Sequence, residues 1–76
     1  MVEVTAKLVA NVASVAVGPG TEVAEGDTLL VVESMKMEIP VAAPATGTVL
    51  EVRVDVADVI QEGDILVVIE PNGTAA

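Results

Sequence analysis

Val52, Val54 and Val56 alternate with Glu51, Arg53 and Asp55, a period of two that suits a half-buried strand and no helix. Val2, Val4 and Ala6 repeat the pattern against Glu3 and Thr5, and Val15 and Val17 continue it after Asn11. Two runs are apolar throughout, Thr28-Leu29-Leu30-Val31-Val32-Glu33 and Ile65-Leu66-Val67-Val68-Ile69-Glu70, and each is entered from a Gly-Asp turn. Such runs suit strands covered on both faces. No stretch holds the helical period, and Pro19, Pro40, Pro44 and Pro71 stand where breaks between strands are expected.

The chain is written twice. Glu25-Gly26-Asp27-Thr28-Leu29-Leu30-Val31-Val32-Glu33 returns, at a shift of 37 residues, as Glu62-Gly63-Asp64-Ile65-Leu66-Val67-Val68-Ile69-Glu70. The same shift lays Val12 on Val49, Val15 on Val52 and Val17 on Val54. Two copies are too few for a solenoid. Two copies that each lack a core bury their apolar faces against one another, which predicts a sandwich with internal pseudo-two-fold symmetry.

Composition narrows what such a sandwich can do. The 76 residues make one small domain, expected over residues 1–70 with a frayed tail at 71–76. Without Phe, Tyr, Trp or Cys the core must be aliphatic, and neither a disulfide framework nor a thiolate metal site is possible. The lack of His removes the usual zinc sites and imidazole acid/base chemistry. Ser14 and Ser34 therefore have no partner base, so no hydrolase triad can be drawn. A net charge of −9 disfavours nucleic acid, anionic membrane and free nucleotide phosphates as direct partners. No segment has the length of a membrane span, and the N-terminus lacks the pattern of a signal peptide; a soluble, cytoplasmic protein, monomeric when isolated, is expected. Asn72-Gly73-Thr74 matches the glycosylation pattern by chance.

One lysine stands apart. The basic residues are Lys7, Lys36 and Arg53, and the only Met residues besides Met1 are Met35 and Met37, which bracket Lys36. In an extended hairpin arm residues 35 and 37 share a face and Lys36 takes the other; a solvated lysine beside gap-filling methionines is the plainer reading. The repeat supplies an address. Under the 37-residue shift, Ser34-Met35-Lys36 falls on Pro71-Asn72-Gly73, where the second copy runs out. In the first copy the chain must turn back through Met37-Glu38-Ile39-Pro40-Val41, so Lys36 belongs at a hairpin joining the halves.

Glu33-Ser34-Met35-Lys36-Met37, followed by Ala43-Pro44 and Gly47 and enclosed by turns at Gly26-Asp27 and Gly63-Asp64, resembles the biotinyl carrier domain of biotin-dependent carboxylases, within the biotinyl/lipoyl attachment family. The resemblance covers nearly the whole chain and is greatest to short, free-standing biotinylated proteins of bacteria, since the segment from Gly18 to Asp27 leaves no room for a thumb loop. It implies an all-β flattened barrel-sandwich hybrid of two four-stranded antiparallel sheets, with biotin in amide linkage to Lys36 at a tight turn away from the chain termini. Met35 and Met37 would shape the turn for biotin protein ligase; Glu33 and Ser34 complete the motif, and Glu38 flanks it. The chain itself would be no enzyme. It would carry carboxyl groups between biotin carboxylase and carboxyltransferase subunits, with Lys36 serving for attachment alone.

The family's pattern is not met everywhere. Ala57-Asp58 stands where Gly-Asp is usual, Gly20-Thr21 lacks the usual Asp, and Ser34 replaces the commoner Ala. Ala57 bears on whether its turn needs a positive φ. Other readings are a lipoyl carrier, which the resemblance would furnish with Asp-Lys-Ala or similar at the turn, a non-carrier barrel module, and a protein biotinylated without a carboxylase role. Carrier domains usually hang on a flexible Ala/Pro-rich linker, whereas here strand alternation begins at Val2.

Overall fold

The computed structural model describes residues 1–71; the segment 72–76, with the Asn72-Gly73-Thr74 pattern and most of the expected tail, lies outside the described residues. The described chain forms eight strands: β1 (Val2–Thr5), β2 (Ala10–Val15), β3 (Glu22–Val23), β4 (Thr28–Ser34), β5 (Met37–Ala42), β6 (Gly47–Val52), β7 (Val59–Ile60) and β8 (Ile65–Pro71). They pair antiparallel into two four-stranded sheets, in the orders β1-β8-β6-β3 and β5-β4-β2-β7. This is the all-β sandwich that the doubled pattern predicts.

A shift of 37 residues carries β1 onto residues 39–42 within β5, β2 onto β6, β3 onto β7 and β4 onto β8, and turns one sheet order into the other. Irregularities obey it too. The bulge in β2 between Val12 and Ser14 matches that in β6 between Val49 and Glu51. Leu29 and Leu66 are the residues skipped in the β4–β5 and β1–β8 ladders, and both side chains are fully buried. They join Val12, Val49, Leu30, Val67 and Ile69 in one aliphatic core, whose burial is the main stabilising term for a chain without aromatic residues or cross-links.

The turns repeat as well. Asp27 Oδ2 accepts from the Ala24 N–H and Asp64 Oδ2 from the Gln61 N–H. Asp58 Oδ2 accepts from the Asp55 N–H, and at the matching position Thr21 Oγ1 accepts from the Gly18 N–H. The missing aspartate is thus replaced by a hydroxyl that closes the same turn. Ala57, at φ 79°, occupies the left-handed conformation that Gly20 adopts at φ 91° in the first copy, so the turn does need a positive φ and Ala bears the strain.

Three expectations need correction. The Val52-Val54-Val56 alternation does not mark one strand: β6 ends at Val52, and Val56 is exposed. Beyond Val52 the chain must enter the Asp55–Asp58 turn, and alternation reports which side faces the core, not which backbone groups pair. Pro40 is no break; it lies inside β5 opposite Val31. β5 is an edge strand, where a residue without an N–H loses no ladder bond. Pro71, expected in the tail, is the last residue of β8.

Candidate functional site

The β4–β5 ladder runs from Thr28↔Ala42 to Glu33↔Glu38 and Ser34↔Met37. Only Met35 and Lys36 remain to reverse the chain, at φ 54° and 66°. Positive φ at both central residues is the type I′ pattern, whose twist matches that of the flanking strands. L-residues there cost about 1–2 kcal/mol each, and neither Met nor Lys is a residue that this turn usually selects. Backbone strain is therefore held at the candidate site by the paired arms behind it.

This geometry corrects the expected alternation. Met35 and Met37 do not share the face of a straight arm, because the chain reverses between them. The outcome for Lys36 is nonetheless presentation: it occupies the second position of the turn and is exposed, as is Met35 on one side and Met37 on the other. Met35 is 90% exposed, so it fills no gap in the core. Ser34 is half-buried at the last rung. Glu33 and Glu38 are exposed and face one another across the strands one rung further back, a like-charge pair that disfavours the hairpin slightly.

Among the described residues the one ion pair is Arg53 Nε to Glu51 Oε1 at 3.2 Å, half-exposed on both sides, and of little energetic weight. Among the described residues no carboxylate holds the Lys36 ammonium. No group of His, Cys, Asp and Glu among the described residues is arranged to hold a metal. Lys7 is also exposed, in the β1–β2 connection, but on no two-residue turn and with no methionine beside it.

Strand directions locate this turn in the molecule. β4 runs toward it and β2 runs away, with Asn11 level with Glu33 and Val59 level with Asn11. The β1–β2 and β7–β8 connections lie at the same end, joined by the Ala6 N–H to Asp64 carbonyl bond at 2.9 Å. Val2 pairs with Ile69 at the other end. Lys36 thus caps the end opposite the termini of the paired sheets. Val9 and Val59, both exposed at the Lys36 end, are not singled out by the sequence; only comparison of the two copies reveals them.

A doubled, flattened barrel that holds one exposed lysine on a strained two-residue turn has the architecture of a carrier domain. The chain belongs to the biotin/lipoyl attachment family: the family model described as "Biotin-requiring enzyme" matches residues 3–69. It is 51% identical over 67 residues to the "Biotinylated protein TB7.3 homolog" of Mycobacterium leprae, covering 88% of this chain and 94% of that one. It is 46% identical over 59 residues to the mitochondrial propionyl-CoA carboxylase alpha chain of Homo sapiens, covering 78% of this chain but only 8% of the carboxylase. Among solved structures, a single-chain, multi-domain long-chain acyl-CoA carboxylase superposes with a TM-score of 0.87 at 32% identity, covering 97% of this chain and 7% of that one. The lipoyl domain of the Azotobacter vinelandii 2-oxoglutarate dehydrogenase complex shares the fold, at a TM-score of 0.75 and 22% identity. Attachment domains of this family carry a group and do not catalyse.

Proposed function

We propose that the chain is a biotin carboxyl carrier, biotinylated on Lys36 and serving a biotin-dependent carboxylase. The observation that carries this reading is the exposed Met35-Lys36 turn at the end of the barrel away from the termini, on a chain of a biotin-requiring family. When attached, biotin takes up a carboxyl group at one active site and gives it up at another.

The chain's own part begins with the Lys36 amine. It loses a proton and attacks the acyl carbon of activated biotin; the amide bond forms as the bond to the leaving group breaks. Deprotonation and activation are the work of biotin protein ligase, since no neighbouring side chain here serves as a base. Thereafter Lys36 is a tether. Its stem and the biotin acyl chain together reach about a dozen ångströms by bond counting, and tethering raises the effective concentration of the group wherever the domain docks. The turn does not unfold to extend that reach, because the arms behind it are paired rung by rung from Ser34↔Met37 downward. Met35 and Met37, exposed and flexible, are available to the ligase and then to the biotin ring. No helix among the described residues is long and apolar enough to cross a membrane.

A second reading, a free-standing biotinylated protein without a carboxylase partner, is favoured by one fact: the chain spans 94% of the biotinylated mycobacterial relative and only 6–8% of the carboxylases it resembles. One experiment separates the two. Incubation with biotin protein ligase, biotin and ATP should add one biotinyl mass, lost in Lys36→Ala. The holo protein, with biotin carboxylase subunits of its own host, ATP, magnesium and labelled bicarbonate, should then acquire acid-labile label. Label on Lys7 overturns the site. Biotinylation without carboxyl label, across all the host's subunits, overturns the carrier role alone.

A further inference from the structure

The two copies are alike in the core and unlike at their ends. At the Lys36 end, Val9 and Val59 are 62% and 65% exposed; their counterparts at the opposite end, 37 residues on or back, are Thr46 and Glu22, also exposed. With Met35 and Met37, four of the seven exposed large hydrophobic residues gather at this one end. The exchange also removes a hydroxyl: Thr46 Oγ1 accepts from the Glu25 N–H at 3.0 Å, and at the matching place in the other copy Val9 has no side-chain oxygen to offer the Glu62 N–H. Singly, an exposed valine is ordinary; four exposed apolar side chains at one end, where the opposite end has Thr46 and Glu22, call for a partner.

Resting on the reading of Lys36 as the biotinylated residue, we propose that Val9 and Val59 form, with Met35 and Met37, the docking surface for biotin protein ligase. Reach selects this partner over the others. The ligase must bring its active centre to an amine on a four-carbon stem, so its surface has to close on the end of the barrel itself. An enzyme that meets the arm only after biotinylation can work at about a dozen ångströms' distance, wherever on the domain it docks. Val59 lies in the same cross-sheet row as Asn11, Glu33 and Glu38, two strands or about 10 Å from Glu33. Glu33 and Glu38 facing one another give this surface a negative side behind the turn, beside the cations Lys36 and, on the β1–β2 connection, Lys7. The complementary ligase surface is an apolar patch bordered by basic side chains.

The fold supplies its own test, because each substitution already exists at the same backbone position in the other copy. Val9→Thr and Val59→Glu, singly and together, are compared with Thr46→Val and Glu22→Val at the opposite end, with biotin protein ligase, biotin and ATP. The double variant should raise the KM for the protein about tenfold with kcat unchanged, while the opposite-end variants stay within about twofold. Val9→Thr should melt no lower than wild type, since it installs the residue that holds this position, as Thr46, in the other copy; weaker docking in an equally stable protein cannot come from misfolding. Val59→Thr replaces Val59→Glu if the latter melts early. A KM unchanged in the double variant, or a loss confined to carboxyl loading, overturns the docking surface and leaves the Lys36 assignment standing. Wild-type protein that takes up no biotin overturns that assignment instead.

Discussion

At one end of the barrel Val32 pairs with Ile39 and the ladder closes through Met35 and Lys36; at the other Ile69 pairs with Val2, at the same place in the repeat, and the ladder opens to the chain's two ends. Between them the copies coincide in strand bounds, bulges and turn hydrogen bonds. The comparison teaches that duplication built the scaffold and its violation built the site. Everything symmetric serves stability, and the exposed Met35, Met37, Val9 and Val59 lie at one end only.

The largest test of the symmetric part is at the bulges. Leu29→Ala and Leu66→Ala should each cost about 2–5 kcal/mol by leaving a cavity, measured by denaturant unfolding, and should agree within about 1 kcal/mol if the halves share one cooperative core. A wide disagreement would break the equivalence. Next comes Gly47, whose counterpart is Ala10. A Cβ at Gly47 would run into the Glu70 carbonyl, so Gly47→Ala should cost about 1–3 kcal/mol as overpacking. An indifferent protein would mean that β6 and β8 lie further apart than described.

A smaller pair of changes should move stability in opposite directions. Ala57→Gly relieves the left-handed strain and should raise stability by up to about 1 kcal/mol, and Gly20→Ala should lower it by a similar amount. Loss in both would place the strain elsewhere. The smallest effect is expected at the turn itself. Met35→Ala should change stability by no more than about 0.5 kcal/mol, because the side chain is 90% exposed, and apo and biotinylated forms should melt within a degree or two. A loss of core size on Met35→Ala would make the methionine a packing residue.

The repeat was legible because burial and turn conformation leave a residue-by-residue record: Leu29 and Leu66, Val12 and Val49 are the same core positions seen twice, and Gly26 and Gly63 the same positive-φ turn positions. The address of Lys36 followed from where the second copy ends. The form of its turn did not. Type I′ turns are usually signalled by Asn-Gly or Asp-Gly, and Met35-Lys36 gives no such sign, so the alternation of an extended arm does not reach past Ser34. The end of β6 at Val52 and the edge position of Pro40 depend on which strands pair, which alternation does not record. Val9 and Val59 were invisible for a different reason. A valine at a strand end reads as core until its exposure is known, and its oddity emerges only against Thr46 and Glu22.

The placement of the chain's ends has a consequence for how such a unit travels between proteins. Because Val2 and Ile69 are neighbours and the Lys36 turn is at the far end, the domain is attached to anything larger through a single narrow base. A host polypeptide can leave and re-enter there without crossing the face on which modification occurs. A match of 67 residues can thus make up nearly all of one relative and a few per cent of another, since neither arrangement requires the barrel to be rebuilt.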